Sequence, residues 1–442
     1  MEAREFALKV INEIETKGAY ANIALARELT RQRLSDQERR FATELVYGVI
    51  KTGPTLDWIL SHYCSRPLEK IDAAIRNILR LGVYQMFFLT KVPPSAACNE
   101  AVKLTKKYGH AGTVKFVNAV LRNAAREPDK AAYPDPERDL ARYLSLTYFH
   151  PQWLIERWLK RLGRNAAEAL CQANNETPPL CMRTNTLRID RTSLQQRLEQ
   201  EGVSCSPSPL VPEGLICTEH PALSQLPSLL EGFAQVQDES SMLVSHVLAP
   251  QPGEFIIDAC AAPGGKSTHL AALMKNQGKV LSIDIHANKL PLIQDNATRL
   301  GITILHTAHL DAADLHTHYA DQADRVLVDA PCSGLGVLRR KPDSRWRKNE
   351  ALLAELPLLQ AAILDSAAKC VKPGGVLVYS TCTTEPQENQ EIVQSFLNRS
   401  PEFSLDITGH FLPMKREESM VQLWPHIDNV DGFFIARMVR RP

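Results

Sequence analysis

The chain has no C-x-x-C pair among its ten cysteines and no H-x-E tripeptide anywhere in its 442 residues. The first absence argues against a zinc ribbon or a thioredoxin-like redox site. The second, with Leu335 where a P-C-x-x-C motif would place its second cysteine after Pro331-Cys332, excludes a zinc deaminase, and no metal is expected. Ten cysteines are also too sparse for a secreted disulfide framework, which points to a reducing, cytoplasmic home. Met1-Glu2-Ala3-Arg4-Glu5 carries no signal-peptide pattern, and no apolar run approaches membrane-spanning length, so no membrane partner is expected. Charge of one sign is lacking overall, with a net of +1, but residues 1–150 hold 23 Lys+Arg against 17 Asp+Glu and the remainder is net acidic. A mildly basic N-terminal third suits a module facing nucleic acid, and equally a solvated surface.

What is present is ordinary globular composition, 44% hydrophobic and 23% charged, in a chain long enough for two or three domains. Residues 1–140 show helical spacing throughout: Phe6, Val10, Ile11, Ile14, then Phe41, Leu45, Val46, Ile50, then Ile75, Ile78, Leu79, Leu81, and Val114, Val117, Val120, Leu121. Asp36 and Ser95 are the expected N-caps of helices starting near 37 and 96. Arg39, Arg40, Arg76, Arg80, Lys103, Lys106, Lys107, Lys115 and Arg122 interleave with these faces, for RNA contact or for solvent. A Pro/Asp-rich stretch over 127–136 reads as a linker. Residues 145–235 read as a small α+β subdomain, with strands at 181–187 and 214–217 around a helix at 190–201. From residue 236 strands and helices alternate, with strands near 254–258, 279–284, 302–307, 324–329 and 374–380 and helices near 265–275, 287–300, 350–371 and 387–398. That alternation predicts βαβ units and a mostly parallel sheet, closed by an antiparallel strand at 432–439.

Phe255-Ile256-Ile257-Asp258 runs into Ala259-Cys260-Ala261-Ala262-Pro263-Gly264-Gly265-Lys266-Ser267. Small residues before a helix N-terminus admit a ligand close to backbone. A P-loop would need glycine where Cys260 stands, and the G-x-G-x-x-G of a dinucleotide site is absent. S-adenosylmethionine, which has no pyrophosphate, is the expected cofactor. It would lie on Cys260, Ala261, Ala262, Pro263, Gly264, Gly265 and Lys266. Asp284, ending the next strand, would take the ribose hydroxyls, and Asp311 would reach the adenine edge.

Two cysteines follow apolar strands at the same end of the sheet: Cys332 in Asp329-Ala330-Pro331-Cys332-Ser333-Gly334 and Cys382 in Ser380-Thr381-Cys382-Thr383. Chemistry in open α/β sheets gathers at strand carboxyl ends, so two thiols delivered there suggest a nucleophile and a helper.

Taken with the Ala-Ala-Pro-Gly-Gly-Lys loop, these motifs resemble the RNA cytosine-5 methyltransferases. The helical N-terminus resembles a NusB-type RNA-binding domain through Glu44-Leu45-Val46-Tyr47-Gly48-Val49 and Phe116-Val117-Asn118-Ala119-Val120-Leu121-Arg122, an architecture similar to bacterial 16S ribosomal RNA methyltransferases. The resemblance implies a multidomain protein: an all-α NusB-like bundle over 1–140, a small α+β linker subdomain over 145–235 and a Rossmann-like methyltransferase domain over 236–442. It implies Cys382 as nucleophile and Cys332 as the thiol that assists release. The DNA enzymes attack with the proline–cysteine thiol instead, so the pair speaks for RNA. On this reading Asp329 hydrogen-bonds the cytosine edge and borders the cofactor, Lys266 steadies that face or lowers a thiol pKa, and Pro331 shapes the pocket floor. The expected partner is a single-stranded or loop cytosine of 16S ribosomal RNA, met by a monomer. The same chemistry on transfer RNA, or a non-catalytic RNA-binding assembly factor, are the alternatives.

Overall fold

The computed structural model describes residues 2–32 and 34–442, so Met1 of the N-terminal segment read above lies outside the described residues. The chain divides into two compact units, one of residues 1–175 with 340–347, the other of 176–339 with 348–442.

The first unit is helical, as the spacing predicts. Its helices are α1 (Ala3–Lys17), α2 (Ala21–Arg31), α3 (Asp36–Ser61), α4 (Ala73–Phe88), α5 (Pro94–Tyr108), α6 (Ala111–Arg126), α7 (Leu140–Tyr148), α8 (Gln152–Leu162) and α9 (Arg164–Ala173). Phe6, Leu45, Leu56, Ile78 and Leu121 are fully buried in one core, the outcome expected when apolar residues recur at three and four. Gly48 has a steric reason: a Cβ there would overlap the Tyr84 ring, whose hydroxyl donates to Glu44 at 2.6 Å. Two expected caps shift by a residue or two. Ser35, not Asp36, caps α3 by accepting from Glu38 N. The fifth helix begins at Pro94 rather than beyond Ser95, because proline at the first helical position needs no N–H partner. Several of the basic residues are engaged within the unit: Arg76 and Arg80 pair with Glu15, Arg80 also with Asp57, Arg39 with Asp36, Lys103 with Glu100 and Lys107 with Glu5. The inserted segment 340–347 is anchored by Arg345, which is fully buried and donates to Phe149 O at 2.8 Å and Asn174 O at 3.1 Å.

The second unit opens with a four-stranded antiparallel sheet, order β2-β3-β1-β4, from β1 (Leu180–Thr184), β2 (Ser204–Pro207), β3 (Gly214–Glu219) and β4 (Ala234–Val236). Helices α10 (Arg191–Gln200) and α11 (Pro227–Leu230) belong to it, and Met182, Leu194, Leu198 and Leu215 form its small core. The chain continues through α12 (Glu239–Leu248), β5 (Phe255–Asp258), α13 (Gly265–Leu273), β6 (Lys279–Asp284), α14 (Leu290–Leu300), β7 (Leu305–His309), α15 (His316–Tyr319), β8 (Ala323–Asp329), α16 (Glu350–Cys370), β9 (Val371–Thr381), α17 (Gln390–Arg399), β10 (Phe403–Leu405), β11 (Met420–Leu423), α18 (Pro425–Asp428) and β12 (Phe433–Arg440). The large sheet has the order β10-β12-β9-β8-β5-β6-β7, parallel from β9 to β7, with β12 antiparallel to β9 and β11 paired to β12. The expected strand at 302–307 is displaced to 305–309, because β6 pairs from Val280 with Leu305.

Among the described residues one helix, α16, is long and apolar enough by length and composition to cross a membrane; Glu355, Gln360 and Asp365 interrupt it, so it does not read as one apolar run in the sequence. Its Ile363, Leu364, Ala367 and Ala368 are buried in the core behind β8 and β9. From β5 the order runs to β6 and β7 on one side and jumps to β8 and β9 on the other. That reversal between β5 and β8 is where open α/β sheets bind ligands.

Candidate active site

The loop after β5 opens the crevice. Ala259 N donates to Leu327 O at 2.9 Å and Ala261 N to Ile283 O at 2.7 Å, which pins the loop between the carboxyl ends of both neighbouring strands. Gly264 sits at φ +97°, a conformation that favours glycine, and a Cβ there would press on Ile293 of α14. Arg183 of β1, buried, reaches the same loop, donating to Gly265 O at 2.6 Å and to Thr268 at 3.0 Å, with Gln237 as a further partner. Burial pushes the Arg183 guanidinium down to about 9 despite the Glu213 carboxylate.

Ahead of this loop lies a cavity of about 350 Å³ lined by Cys260, Ala262, Asp284, Asp311, Asp329 and Pro331, with Leu359 and Ile363 of α16 as an apolar wall. Asp284 is buried at the end of β6 and accepts from Ala262 N at 3.2 Å and His286 N at 2.8 Å. Asp311 lines the cavity and also caps the short turn that follows, accepting from Ala313 N at 2.9 Å. The volume, the acids at two strand ends and the apolar wall suit an adenosine-bearing ligand.

The two cysteines meet. Cys332 Sγ lies 3.3 Å from Cys382 Sγ, and no disulfide joins them. Lys266 Nζ is 2.7 Å from Asp329 Oδ2 and 5.1 Å from the centre of the Phe433 ring. Ser380 Oγ fixes the other Asp329 oxygen at 2.9 Å. Burial pushes the Lys266 ammonium down, but the Asp329 carboxylate, then Cys382 and Asp258, outweigh it, and the net shift is upward. The Cys332 thiol is driven well above the usual range, first by its hydrogen bond to Cys382, then by burial and by the charge Cys382 can carry. The proton is therefore held on Cys332.

Every residue expected at the site thus lies at the carboxyl ends of β5, β6, β7, β8 and β9. Sequence reading missed Asp258, which is buried against Ser267 Oγ at 2.6 Å and pushed up to about 7 by burial. It also missed Arg183. Asp258 could have been suspected from its place as a strand end leading into the loop; Arg183 carries no local signal.

Behind the cofactor loop, Glu213 receives His246 Nε2 at 2.9 Å and His269 Nε2 at 2.8 Å. Each histidine turns one ring nitrogen, Nε2, towards the carboxylate, so the cluster ties the small sheet to helices α12 and α13. Burial pushes His269 down to about 4, and the two histidines hold Glu213 well below the carboxylate range against its own burial. A group whose folded pKa is depressed contributes stability that is lost as pH falls through the window, here from the histidine's usual 6.5 towards 4. The His269 shift corresponds to roughly 3 kcal/mol across that window. Wild type is expected to lose melting temperature more steeply between pH 7 and pH 5 than His269→Gln, as calorimetry at each pH would show.

A parallel sheet with a cofactor-sized crevice at its switch point, beside a thiol pair and a lysine–aspartate pair, is the arrangement expected of a methyltransferase. The chain's relatives agree. Family models match as 16S rRNA methyltransferase RsmB/F over residues 245–439, as the NusB family over 1–126, and as the RsmF/B-like ferredoxin-like domain over 150–223. The chain is 40% identical to the probable ribosomal RNA small subunit methyltransferase B of Bacillus subtilis, over 99% of this chain and 98% of that one. It is 34% identical to ribosomal RNA small subunit methyltransferase B of Shewanella oneidensis, over 100% and 99%. The crystal structure of PH0851 superposes with a TM-score of 0.84 at 28% identity, covering 99% of both chains. That of NSun6 from Pyrococcus horikoshii with SFG gives 0.60 at 26%, covering 66% of this chain and 98% of that one. The chain belongs to the RsmB/F family of RNA methyltransferases, with a NusB-like helical domain, a ferredoxin-like subdomain and a Rossmann-like catalytic domain.

Proposed function

We propose that this protein methylates carbon 5 of a cytosine in 16S ribosomal RNA, using S-adenosylmethionine and a transient bond between Cys382 and the base. The observation that carries the reading is the 3.3 Å approach of the two thiols beside Lys266 and Asp329 at the rim of the cavity. The relatives named for small-subunit ribosomal RNA support the substrate, and the NSun6 neighbour with SFG, an analogue of S-adenosylmethionine, supports the donor.

S-adenosylmethionine supplies an electrophilic methyl group. Its place would be the cavity, with Asp284 on the ribose, Asp311 towards the adenine and the Cys260–Lys266 loop against the remainder. Carbon 5 of cytosine is a poor nucleophile until a thiolate adds to carbon 6 and makes it enamine-like. Cys382 is suited to that addition because Lys266 holds positive charge nearby and Cys332 keeps its proton. Asp329, fixed by Lys266 and Ser380, would hydrogen-bond the cytosine edge and favour protonation at the ring nitrogen. Once Cys382 is bonded to carbon it is a neutral thioether, so its hydrogen bond to Cys332 and the charge it could carry, the first and third causes that hold Cys332 protonated, are both relieved. Cys332 can then release its proton to water and take the carbon 5 proton, directly or through water. The Cys382–carbon bond breaks, and its electron pair returns to sulfur. The target base must leave its stack to reach this site, which favours single-stranded or loop RNA.

Two experiments test the reading. Transfer of label from S-adenosylmethionine to naked 16S ribosomal RNA, with bisulfite sequencing of the product, should give one 5-methylcytosine; label in transfer RNA instead would overturn the substrate. Asp284→Ala should weaken S-adenosylmethionine binding on the order of 10- to 100-fold by calorimetry, the scale of lost hydrogen bonds to a charged acceptor. Unchanged affinity would contradict the assigned pocket.

A further inference from the structure

Cys332 and Cys382 sit on loops from different strands, yet both are held by two consecutive residues of a third segment. Glu388 and Asn389 lie where the short turn Pro386–Glu388 gives way to α17, and both are fully buried. The Glu388 carboxylate accepts from Ser333 N at 2.8 Å and from the Ser333 hydroxyl. Gln360 of α16 then donates both to Glu388 at 2.9 Å and to Pro331 O at 2.9 Å. Cys332 is thereby bracketed on either side, at the carbonyl before it and the amide after it. Asn389 does the same for Cys382: its Oδ1 accepts from Thr381 Oγ1 at 2.6 Å, and its Nδ2 donates to Thr383 O at 3.0 Å. The two brackets are joined by Ser333 Oγ and Thr383 Oγ1, 2.8 Å apart. The segment itself is held from below, Tyr379 donating to Glu388 O at 2.7 Å and Asn389 donating to Gln422 of β11 at 2.9 Å.

We propose that Glu388 and Asn389 form a double clasp that fixes the separation of the two thiols, with Glu388 and Gln360 positioning Cys332 and Asn389 positioning Cys382. The three bond the backbone and hydroxyl groups that flank the cysteines, so they are positioning residues. A buried carboxylate satisfied by an amide, a hydroxyl and a carboxamide is costly to assemble and is rigid once complete. That rigidity is useful here, because two thiols on loops would otherwise drift by more than the fraction of an ångström that proton transfer between a thiol and a bound base tolerates. The chemical consequence rests on the proposal above that Cys382 attacks and Cys332 serves release; the clasp itself does not.

The test uses the full-length protein and the variants Glu388→Gln, Gln360→Met and Asn389→Ala. The first readout needs no RNA: iodoacetamide labelling rates of the two cysteines, resolved by peptide mass spectrometry. Glu388→Gln and Gln360→Met should change the Cys332 rate several-fold and leave the Cys382 rate within twofold, and Asn389→Ala should do the reverse. The second readout is the amount of denaturation-resistant protein–RNA adduct per turnover. It should rise several-fold in Glu388→Gln and Gln360→Met and fall in Asn389→Ala. Should Glu388→Gln fail to fold, Gln360→Met, altered on a separate helix, still tests the Cys332 bracket. Equal changes at both cysteines in every variant, with adduct per turnover unmoved, would reduce the three residues to general scaffolding and overturn the proposal. Cysteine-specific labelling with the adduct changes reversed would keep the clasp and overturn the assignment of roles to the thiols.

Discussion

Cys332→Ala is expected to accumulate a covalent protein–RNA complex that survives a denaturing gel, while multiple turnover falls on the order of 10²- to 10⁴-fold, the range for loss of a positioned acid–base group. The reason lies in the order of events at the thiol pair. Cys382 retains its lysine, and Asn389 still holds Thr381 and Thr383 on either side of it, so addition to carbon 6 and methyl transfer proceed. What is lost is the group 3.3 Å away that can take the carbon 5 proton, so the adduct persists. Methyl donor should be consumed in a single burst, close to one equivalent per enzyme, followed by near silence. Rapid, burst-free turnover in Cys332→Ala would show that the proton leaves by another route.

Cys382→Ala should form no adduct and lose turnover by about 10⁴-fold or more, as expected when a nucleophile acting within a unit is removed. Donor binding should stay near wild type, because the cavity lining does not include Cys382. The contrast between the two single variants is more telling than either alone, since a folding defect would lower adduct, turnover and binding together. The double variant should match Cys382→Ala, because release cannot matter where addition never occurs.

The fold was legible where local pattern and tertiary role coincide. Apolar runs ending in Asp258, Asp284 and Asp329 read as buried strands because a parallel strand covered on both faces is apolar on both faces. The β6 span agrees at both ends, Lys279–Asp284. The edge strands β10 and β11, of three and four residues, were not legible, because so short a segment shows no period. At Ser35-Asp36 two residues able to cap stand side by side, and composition alone does not choose between them.

The site divides in the same way. Cys332, Cys382, Asp329 and Lys266 were legible as candidates because each ends or follows a strand or opens a helix, positions that sequence marks. Their convergence depends on strand order, with β8 and β9 as neighbours, which no local pattern encodes. Arg183 reaches the cofactor loop from a strand more than eighty residues upstream, as its hydrogen bond to Gly265 O shows. Gln360 lies mid-helix among apolar residues, where a polar side chain without its partner in view reads as an interruption. Glu388 and Asn389 read as the polar start of a helix until their acceptors and donors are placed in space.

The central claim is that the sulfur of Cys382 bonds to carbon 6 of the target cytosine. Wild-type protein incubated with S-adenosylmethionine and RNA carrying 5-fluorocytidine at the target should stall after methyl transfer, since fluorine cannot leave as a proton. Digestion and tandem mass spectrometry of the stalled complex should find the methylated fluoropyrimidine on the peptide containing Ser380-Thr381-Cys382-Thr383, attached at Cys382. Attachment at Cys332, or methylated product with no linked peptide, would contradict the account.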